Sequence, residues 1–359
     1  MSDNYAIDSH KLMLHPSRVH QWLEAEGNWE KAKKIYPLYV EISPYGGCNH
    51  RCDFCALDFM GYKNIAIDID IMKKMFDSMA DKGVKSVMFA GEGEPLLHPH
   101  LDQAVEYATQ LGIDTSLTTN FVPFKEKKIE VFVRDCKWIK VSLNAGSRQN
   151  YAKIHQTQEE DYDRVIENLQ KAVALKKEHD YSCTIGIQMV LLPENKDEAV
   201  ELAKTAKSIG VDYLVIKPYS NHPQSLQNRE IDYKSLVSIK KELDAIDFNV
   251  IFRINAIEKE ITQKSNYKRC YSTPYFWGYV SSNGDVYGCS VYLTDDKFCY
   301  GNINENSFEA IWESDKRKKS LEFVSNELDI SECRVNCRMN NINEYLWRLR
   351  HPQNHDNFI

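Results

Sequence analysis

Leu38-Tyr39-Val40-Glu41-Ile42-Ser43-Pro44-Tyr45-Gly46-Gly47-Cys48-Asn49-His50-Arg51-Cys52-Asp53-Phe54-Cys55 is the stretch on which the reading of this chain turns. Leu38 to Ile42 is rich in strand formers, and Ser43-Pro44 ends the run because proline cannot donate to a ladder. The pattern predicts a strand that opens directly into a loop carrying Cys48, Cys52 and Cys55. Three thiolates can hold three corners of a four-iron cube and leave one iron open to a ligand that is not protein. The same loop also admits a structural zinc knuckle, with His50 as a near fourth ligand, or buried free thiols.

Upstream, Pro16 to Ile35 reads as an amphipathic helix with Val19, Trp22, Leu23 and Trp29 as its apolar members. Downstream, helix and strand take turns. Helices are predicted near Asp68–Met79, Leu101–Leu111, Asp163–Lys177, Lys196–Ile209 and Lys234–Ile246, with a short one before Trp138. Strands are predicted at Ser86–Ala90, Asp114–Leu117, Trp138–Leu143, Cys183–Leu192, Tyr213–Ile216 and Val250–Ile254. This order favours parallel strands with right-handed crossovers, hence an α/β barrel or a doubly wound sheet. The polar stretch Ser220 to Ile231 reads as a long loop over one mouth. After about Lys259 the character changes: Phe276–Val280 and Asp285–Tyr287 flank an Asn283-Gly284 hairpin turn, and a helix follows from Ser307 to about Val324.

A chain of 359 residues with 43% hydrophobic and 27% charged residues is long enough to bury a large core. Its formal net charge of -7 argues against nucleic acid or an anionic membrane as the main partner. The polar start, Met1 to Ser9, and the lack of any run of about 18 apolar residues point to a cytoplasmic protein with no membrane span. Its 10 cysteines are then free thiols or metal ligands rather than disulfides. Cys48, Cys52 and Cys55 cluster; Cys270, Cys289, Cys333 and Cys337 lie in the last quarter; Cys136, Cys183 and Cys299 are scattered.

A second motif follows the first at the distance of one strand. Gly91-Glu92-Gly93-Glu94-Pro95 resembles the GGEP segment of radical S-adenosylmethionine (SAM) enzymes, with Glu92 standing where the first glycine of that segment would be. Together with Cys48-x-x-x-Cys52-x-x-Cys55 and the aromatic Phe54, it makes nearly the whole chain similar to that superfamily. The resemblance implies a partial (β/α)6 TIM-like barrel and an open [4Fe-4S] cluster whose free iron takes SAM, so that electron transfer yields a 5′-deoxyadenosyl radical. It further implies that Gly93 and Glu94 hold the methionyl amine, Ser142 and Asn144 the carboxylate or ribose, and Gln188 the ribose, with Ile216 and Phe54 flanking adenine. Thr118 and Asn120 would end the third strand beside them.

The region from Cys270 to Cys289, with Tyr300-Gly301-Asn302-Ile303 and Phe308-Glu309-Ala310-Ile311-Trp312, resembles the opening of a SPASM or twitch extension. The resemblance implies a small C-terminal β-hairpin plus helix iron-sulfur domain. Cys270, Cys289, Cys333 and Cys337 would hold one second, auxiliary [4Fe-4S] cluster with no open iron. Cys299 as a replacement ligand, and zinc in this region, are the alternatives. The implied organisation is an N-terminal helical segment over 1–37, the core barrel over 38–262 and the auxiliary-cluster domain over 263–359.

The expected reaction is hydrogen abstraction from a small polyhydroxylated molecule such as a sugar, nucleotide sugar or aminocyclitol, ending in dehydrogenation or epimerisation. An external electron donor such as flavodoxin or ferredoxin is implied. Lys217 and Tyr219, with Arg253 and Asn255 on one face of the next strand, are candidates to hold hydroxyls or a phosphate. Cys136 and Cys299 are candidate hydrogen donors for an epimerase. Lys316-Arg317-Lys318-Lys319 reads as a solvated helix face. A peptide or protein maturase is the competing enzyme, a non-catalytic iron-sulfur or zinc scaffold the competitor of another class. GTP cyclisation is disfavoured because the sequence ends Asp356-Asn357-Phe358-Ile359 without a Gly-Arg-Arg tail.

Overall fold

The computed structural model describes residues 7, 9–25, 27–123, 126–262 and 265–358. The expected start Met1 to Ser9 lies mostly outside them, as do 263–264 at the expected boundary between the last two regions.

Ten strands form one sheet: β1 (Tyr39–Ile42), β2 (Ser86–Phe89), β3 (Asp114–Thr119), β4 (Cys136–Ser142), β5 (Thr184–Leu191), β6 (Tyr213–Pro218), β7 (Val250–Phe252), β8 (Trp277–Val280), β9 (Asp285–Tyr287) and β10 (Cys299–Asn302). Their order is β10-β9-β8-β1-β2-β3-β4-β5-β6-β7. From β8 through β7 every neighbouring pair is parallel, whereas β9 and β10 run antiparallel as the hairpin continues. The fold is an α/β, TIM-like partial barrel whose parallel sheet stays open. β8 of the C-terminal region pairs with β1 and so extends the same sheet.

Alternation along the strands sorts residues onto two faces. Val40, Ile42, Val87, Phe89, Leu117, Ile139, Val141, Ile187, Leu214 and Ile216 are fully buried in one apolar cluster, together with residues of the crossover helices such as Met72, Phe76, Ala104, Leu169 and Leu202. The opposite parity turns Glu41, Met88, Thr118, Trp138, Lys140, Ser142, Gln188 and Lys217 to the inner face. The strand ends on that side carry the functional candidates.

Several elements differ from expectation for local reasons. The first helix divides into Pro16–Glu24 and Trp29–Ala32, because Gly27 takes φ +67° and the Asn28 side chain caps the second piece. The Ser307–Val324 helix divides into Phe308–Trp312 and Asp315–Asn326, with the Ser314 hydroxyl accepting from the Arg317 amide as the new N-cap. Strand β7 stops at Phe252; the Arg253 amide makes a last bond to the Ile216 carbonyl (2.9 Å), and its own carbonyl accepts from Ile257 of helix Ile254–Thr262. Arg253 and Asn255 therefore do not share a strand face.

Arg317 is the clearest departure. It is 0% exposed rather than solvated, with its guanidinium 4.5 Å from the Trp312 ring. Its donors meet the carbonyls of Pro274 (3.1 Å), Trp312 (2.7 Å) and Ile35 (3.2 Å). With a second apolar cluster of Val19, Trp22, Ile35, Phe276 and Leu346, it fastens the N-terminal segment to the C-terminal region.

Candidate active site

The Cys48–Cys55 loop is fixed from both sides. The amides of Arg51 and Asp53 donate to His155 and Ile154 (3.1 and 3.0 Å), carbonyls that end helix Arg148–His155. From β2, the Glu94 amide donates to Gly47 (2.9 Å), and Asn120 at the end of β3 donates its Nδ2 to Asn49 (2.8 Å). Gly93 is needed for this approach: a Cβ there would stand 2.2 Å from the Tyr45 carbonyl oxygen. The two motifs are thus in direct contact at the strand ends.

All three thiols are free and partly exposed. Burial pushes the Cys48 thiol up to about 12, with Glu94 and Cys55 adding to the effect. Cys52 and Cys55 are raised by burial too, Cys52 also by the other two thiols. Such a set is stable as thiolates only around a strong cationic centre. A single tetrahedral zinc, with Zn–S of about 2.3 Å, would draw its sulfurs to within roughly 4 Å of one another. Among the described residues, the one group of three or more candidate ligands lying within 4.8 Å of one another is His50, Cys52 and His155. Cys48 and Cys55 do not belong to that group. His50 does not complete their set: it stands 3.4 Å from Asp161, while His155 Nδ1 lies 3.2 Å from Cys52 Sγ.

The expected SAM contacts divide. Gly93 lies in the turn after β2, Asn120 follows β3, and Ser142 ends β4, where it pairs with Gln188 inside β5. Glu94 is buried, and burial raises its carboxyl to about 7. It accepts from the Thr119 hydroxyl (2.5 Å), the Asn120 amide (2.8 Å) and the Leu96 amide (3.0 Å), so its side chain already ties β2 to β3. Asn144 is 0% exposed, with Oδ1 accepting from Val190 (2.7 Å) and Nδ2 3.2 Å from His155. Both of its polar ends are spent inside the protein. Ile216 is not brought to Phe54; its side chain belongs to the outer apolar core, whereas Val190 and Tyr219 pack with Phe54.

Glu92 explains its own departure from the family segment. It is buried, with Oε2 accepting from the Tyr279 hydroxyl (2.5 Å) and Oε1 from the Ser282 amide (2.9 Å). The carboxylate joins the β2 turn to β8 and the hairpin turn.

The four C-terminal thiols also converge. Cys289 is raised by burial and by Cys337 and Cys270, and Cys333, at about 12, by burial and the same two neighbours. Asn343 Nδ2 and the Met339 amide approach Cys270 and Cys337 at 3.4 and 3.3 Å. Cys299 stands apart on β10, its thiol directed to the Gly301 carbonyl at 3.9 Å. Cys136 and Cys183 are buried in the apolar core on the outer side of the sheet.

Beside Phe54 lies a cavity of about 140 Å³ whose lining includes Val190, Lys217, Tyr219 and Arg253. Asn255 is not among its lining residues, but Arg334 and Asn336, from between the last two cysteines, are. Behind them Arg338 pairs with Glu41 (2.7 Å). Lys140 lies over the Trp138 ring at 5.0 Å, its amine lowered to about 8 by burial and then by Arg338 and Arg253. Lys140, Arg334, Asn336 and Arg338 were missed, although Lys140 shares the strand parity of Trp138 and Ser142 and an arginine follows each of Cys333 and Cys337. The 220–231 loop covers one side: Arg229 bonds Asp53 and Glu194 (both 3.1 Å), the Leu226 amide meets Asp58 (3.1 Å), and His222 stacks on Phe59 at 4.9 Å.

Three thiols stand above the ends of an open parallel barrel and four more lie on an appended hairpin and loop, two cysteine groups of the kind that hold iron-sulfur clusters. Comparison with known families agrees: residues 42–206 match the radical SAM superfamily, and 270–338 match the SPASM iron-sulfur cluster-binding domain. The chain belongs to the radical SAM superfamily and carries a C-terminal SPASM domain. SAM, a SAM-binding [4Fe-4S] cluster and auxiliary iron-sulfur ligation follow as its cofactors. Among curated relatives, a GTP 3′,8-cyclase of Chlorobaculum tepidum is 27% identical over 190 residues, 51% of this chain and 55% of that protein. A probable GTP 3′,8-cyclase of Saccharolobus solfataricus is 28% identical over 213 residues, 56% and 66% of the two chains. The chain thus spans little more than half the length of the first of these. Among solved structures, SuiB of Streptococcus suis bound to SAM superposes with TM-score 0.65 at 20% identity, covering 92% of this chain and 79% of SuiB. The enzyme anSMEcpe with bound SAM gives 0.56 at 20% identity, covering 86% and 89%. At these identities the structures speak for the fold alone. Among the described residues, no helix is long and apolar enough to cross a membrane.

Proposed function

We propose that this radical SAM enzyme abstracts hydrogen from a small polyhydroxylated substrate, such as a sugar, nucleotide sugar or aminocyclitol, and that dehydrogenation is the outcome. When bound at Cys48, Cys52 and Cys55, the cluster and SAM supply a carbon radical that removes a hydrogen atom. The protein's part is to place the substrate and keep water out. Gly93, Asn120, Ser142 and Gln188 hold SAM at the strand ends, and Phe54 covers one side of the adenine.

The cavity beside Phe54 carries this reading. It is small, lined by donors from β6, the start of the Ile254–Thr262 helix and the 333–337 loop, and bordered by a strapped 220–231 loop, which suits a compact polar molecule better than an extended peptide. No cysteine lines it, and Cys136 lies on the far side of the sheet, so a thiol donor for epimerisation is not at hand among the described residues. An iron-sulfur cluster held by Cys270, Cys289, Cys333 and Cys337 would accept the electron that the substrate radical loses together with a proton. A cytoplasmic setting and a flavodoxin or ferredoxin as external donor complete the proposal. The peptides named with relatives of the SuiB type do not transfer at 20% identity.

The test is isotopic. Anaerobic enzyme with dithionite and SAM is offered perdeuterated sugar phosphates, nucleotide sugars and aminocyclitols, and 5′-deoxyadenosine is examined by mass spectrometry. Deuterium transfer with loss of two hydrogens from one of these compounds supports the proposal. Transfer only from a peptide substrate defeats it.

A further inference from the structure

His155 is the last residue of helix Arg148–His155 and is fully buried, with its ring set against the sulfur of a cluster ligand. Its Nδ1 stands 3.2 Å from Cys52 Sγ, and its Nε2 3.2 Å from the side-chain nitrogen of Asn144. The ring is held from several sides: Tyr151 stacks on it with centroids 4.2 Å apart, and Phe54 meets it edge to face at 5.4 Å. The His155 carbonyl accepts from the Arg51 amide (3.1 Å), which fixes the helix end to the Cys48–Cys55 loop.

Asn144 decides where the proton of that ring sits. Its Oδ1 accepts from the Val190 amide (2.7 Å), so the nitrogen side of its amide is the one that faces His155. An NH2 group only donates, and Nε2 must therefore accept and carry no proton. The proton of the neutral imidazole is then on Nδ1, directed at Cys52 Sγ. An imidazolium is excluded by the same contact, because it would set N–H against N–H. The Asn144 carbonyl accepts from the Asn195 side chain (2.8 Å), whose own Oδ1 accepts from the Leu192 amide (2.8 Å), so the relay is anchored just beyond β5. A ring nitrogen that carries a proton has no lone pair for a metal, which makes His155 a donor to Cys52 and not a further ligand.

We infer that His155 is a positioning residue for the SAM-binding cluster: its Nδ1–H donates to the Cys52 thiolate and raises the reduction potential of the cluster, with Asn144 holding the proton on that nitrogen. A hydrogen bond to a cluster sulfur favours the reduced, more negative state, so this contact eases the uptake of one electron from the external donor. The inference concerns the cluster and holds whichever substrate the enzyme takes.

The test is a redox titration, followed by electron paramagnetic resonance, of anaerobic holoenzyme without SAM or substrate. His155→Phe keeps an aromatic ring against Tyr151 and removes the donor. It should make reduction of the SAM-binding cluster roughly ten-fold less favourable, a potential lower by about 59 mV for one electron. His155→Asn, whose amide nitrogen can take the place of Nδ1, should recover most of that difference, and the auxiliary cluster of the same molecules should keep its potential. An unchanged potential in His155→Phe, an equal drop in His155→Phe and His155→Asn, or a parallel shift of both clusters overturns the inference. If His155→Phe does not hold its cluster, the unmutated protein decides: with isotopic label placed in the histidine ring nitrogens alone, pulsed resonance of the reduced cluster should show a coupled ring nitrogen that is missing in His155→Asn. Absence of that coupling from the unmutated protein, or its persistence in His155→Asn, overturns the inference as well.

Discussion

Glu92 replaces a glycine of the family segment with a buried carboxylate, and its removal should loosen the barrel from the SPASM region. In Glu92→Ala, the Tyr279 hydroxyl and Ser282 amide both lose their acceptor, at 2.5 and 2.9 Å. Each is a hydrogen bond to a charged group, worth about 1.5–3 kcal/mol, and each leaves a buried donor unpaired. Against the cost once borne in burying the carboxylate, a net loss of about 3–4 kcal/mol is expected. At about 2–4 °C per kcal/mol for a chain of this order of size, the melting temperature of anaerobic holoenzyme should fall by roughly 6–15 °C. Glu92→Gln keeps one acceptor for the Ser282 amide and should lose about half as much. Tyr279→Phe closes the cycle: the double variant should be less destabilised than the sum, with a coupling of at least about 1 kcal/mol. Calorimetry or circular dichroism reads all four proteins. Additive effects of Glu92→Ala and Tyr279→Phe would refute the coupling, and an unchanged melting temperature in Glu92→Ala would refute the joint.

Cys52→Ala should abolish 5′-deoxyadenosine formation, whereas Cys289→Ala should lose auxiliary iron yet retain some cleavage uncoupled from substrate; chromatography and iron analysis distinguish them, and full activity in both would contradict the cluster assignment. Arg317→Met, which removes the donors facing Pro274, Trp312 and Ile35, should cost about 3 kcal/mol or more and expose the N-terminal helix to proteolysis first. Lys140 carries a pH signature: its amine, ordinarily near 10.5, titrates near 8 in the fold, so the charged form is disfavoured relative to the unfolded chain. The cost is fully present below pH 8 and is relieved as pH rises toward the unfolded value. Lys140→Met should therefore melt higher than wild type at pH 7, with the gain shrinking above pH 8; a gain that grows with pH would reverse the sign.

The alternation of strands and helices was legible because apolar periodicity and turn residues agree locally, and it placed β1 through β6 within a residue or two of their ends. The grouping of Cys48, Cys52 and Cys55 was legible because one short loop carries all three. Parity within a strand separates two of the candidates: counting along β5 puts Gln188 on the inner face, and the same count along β6 places Ile216 on the outer one, away from Phe54. What stayed hidden is what only packing assembles. Glu92 meets Tyr279 and Ser282 nearly two hundred residues later, Arg317 reaches back to Ile35, and Arg334 lines the same cavity as Lys217. Asn144 and Glu94 show the complementary difficulty, because a polar residue at a strand end serves the protein's own backbone as readily as a ligand. Within the basic run Lys316 and Lys319 are exposed as expected and only Arg317 is buried, because charge pattern alone does not count the apolar partners one position of a helix acquires.

The most direct measurement is Mössbauer and electron paramagnetic resonance spectroscopy of anaerobically reconstituted protein, with and without SAM. The expected result is two [4Fe-4S] clusters per chain, of which one, lost in Cys52→Ala, changes its spectrum when SAM is added. Stoichiometric zinc at Cys48, Cys52 and Cys55, or a cluster there that is indifferent to SAM, would contradict it.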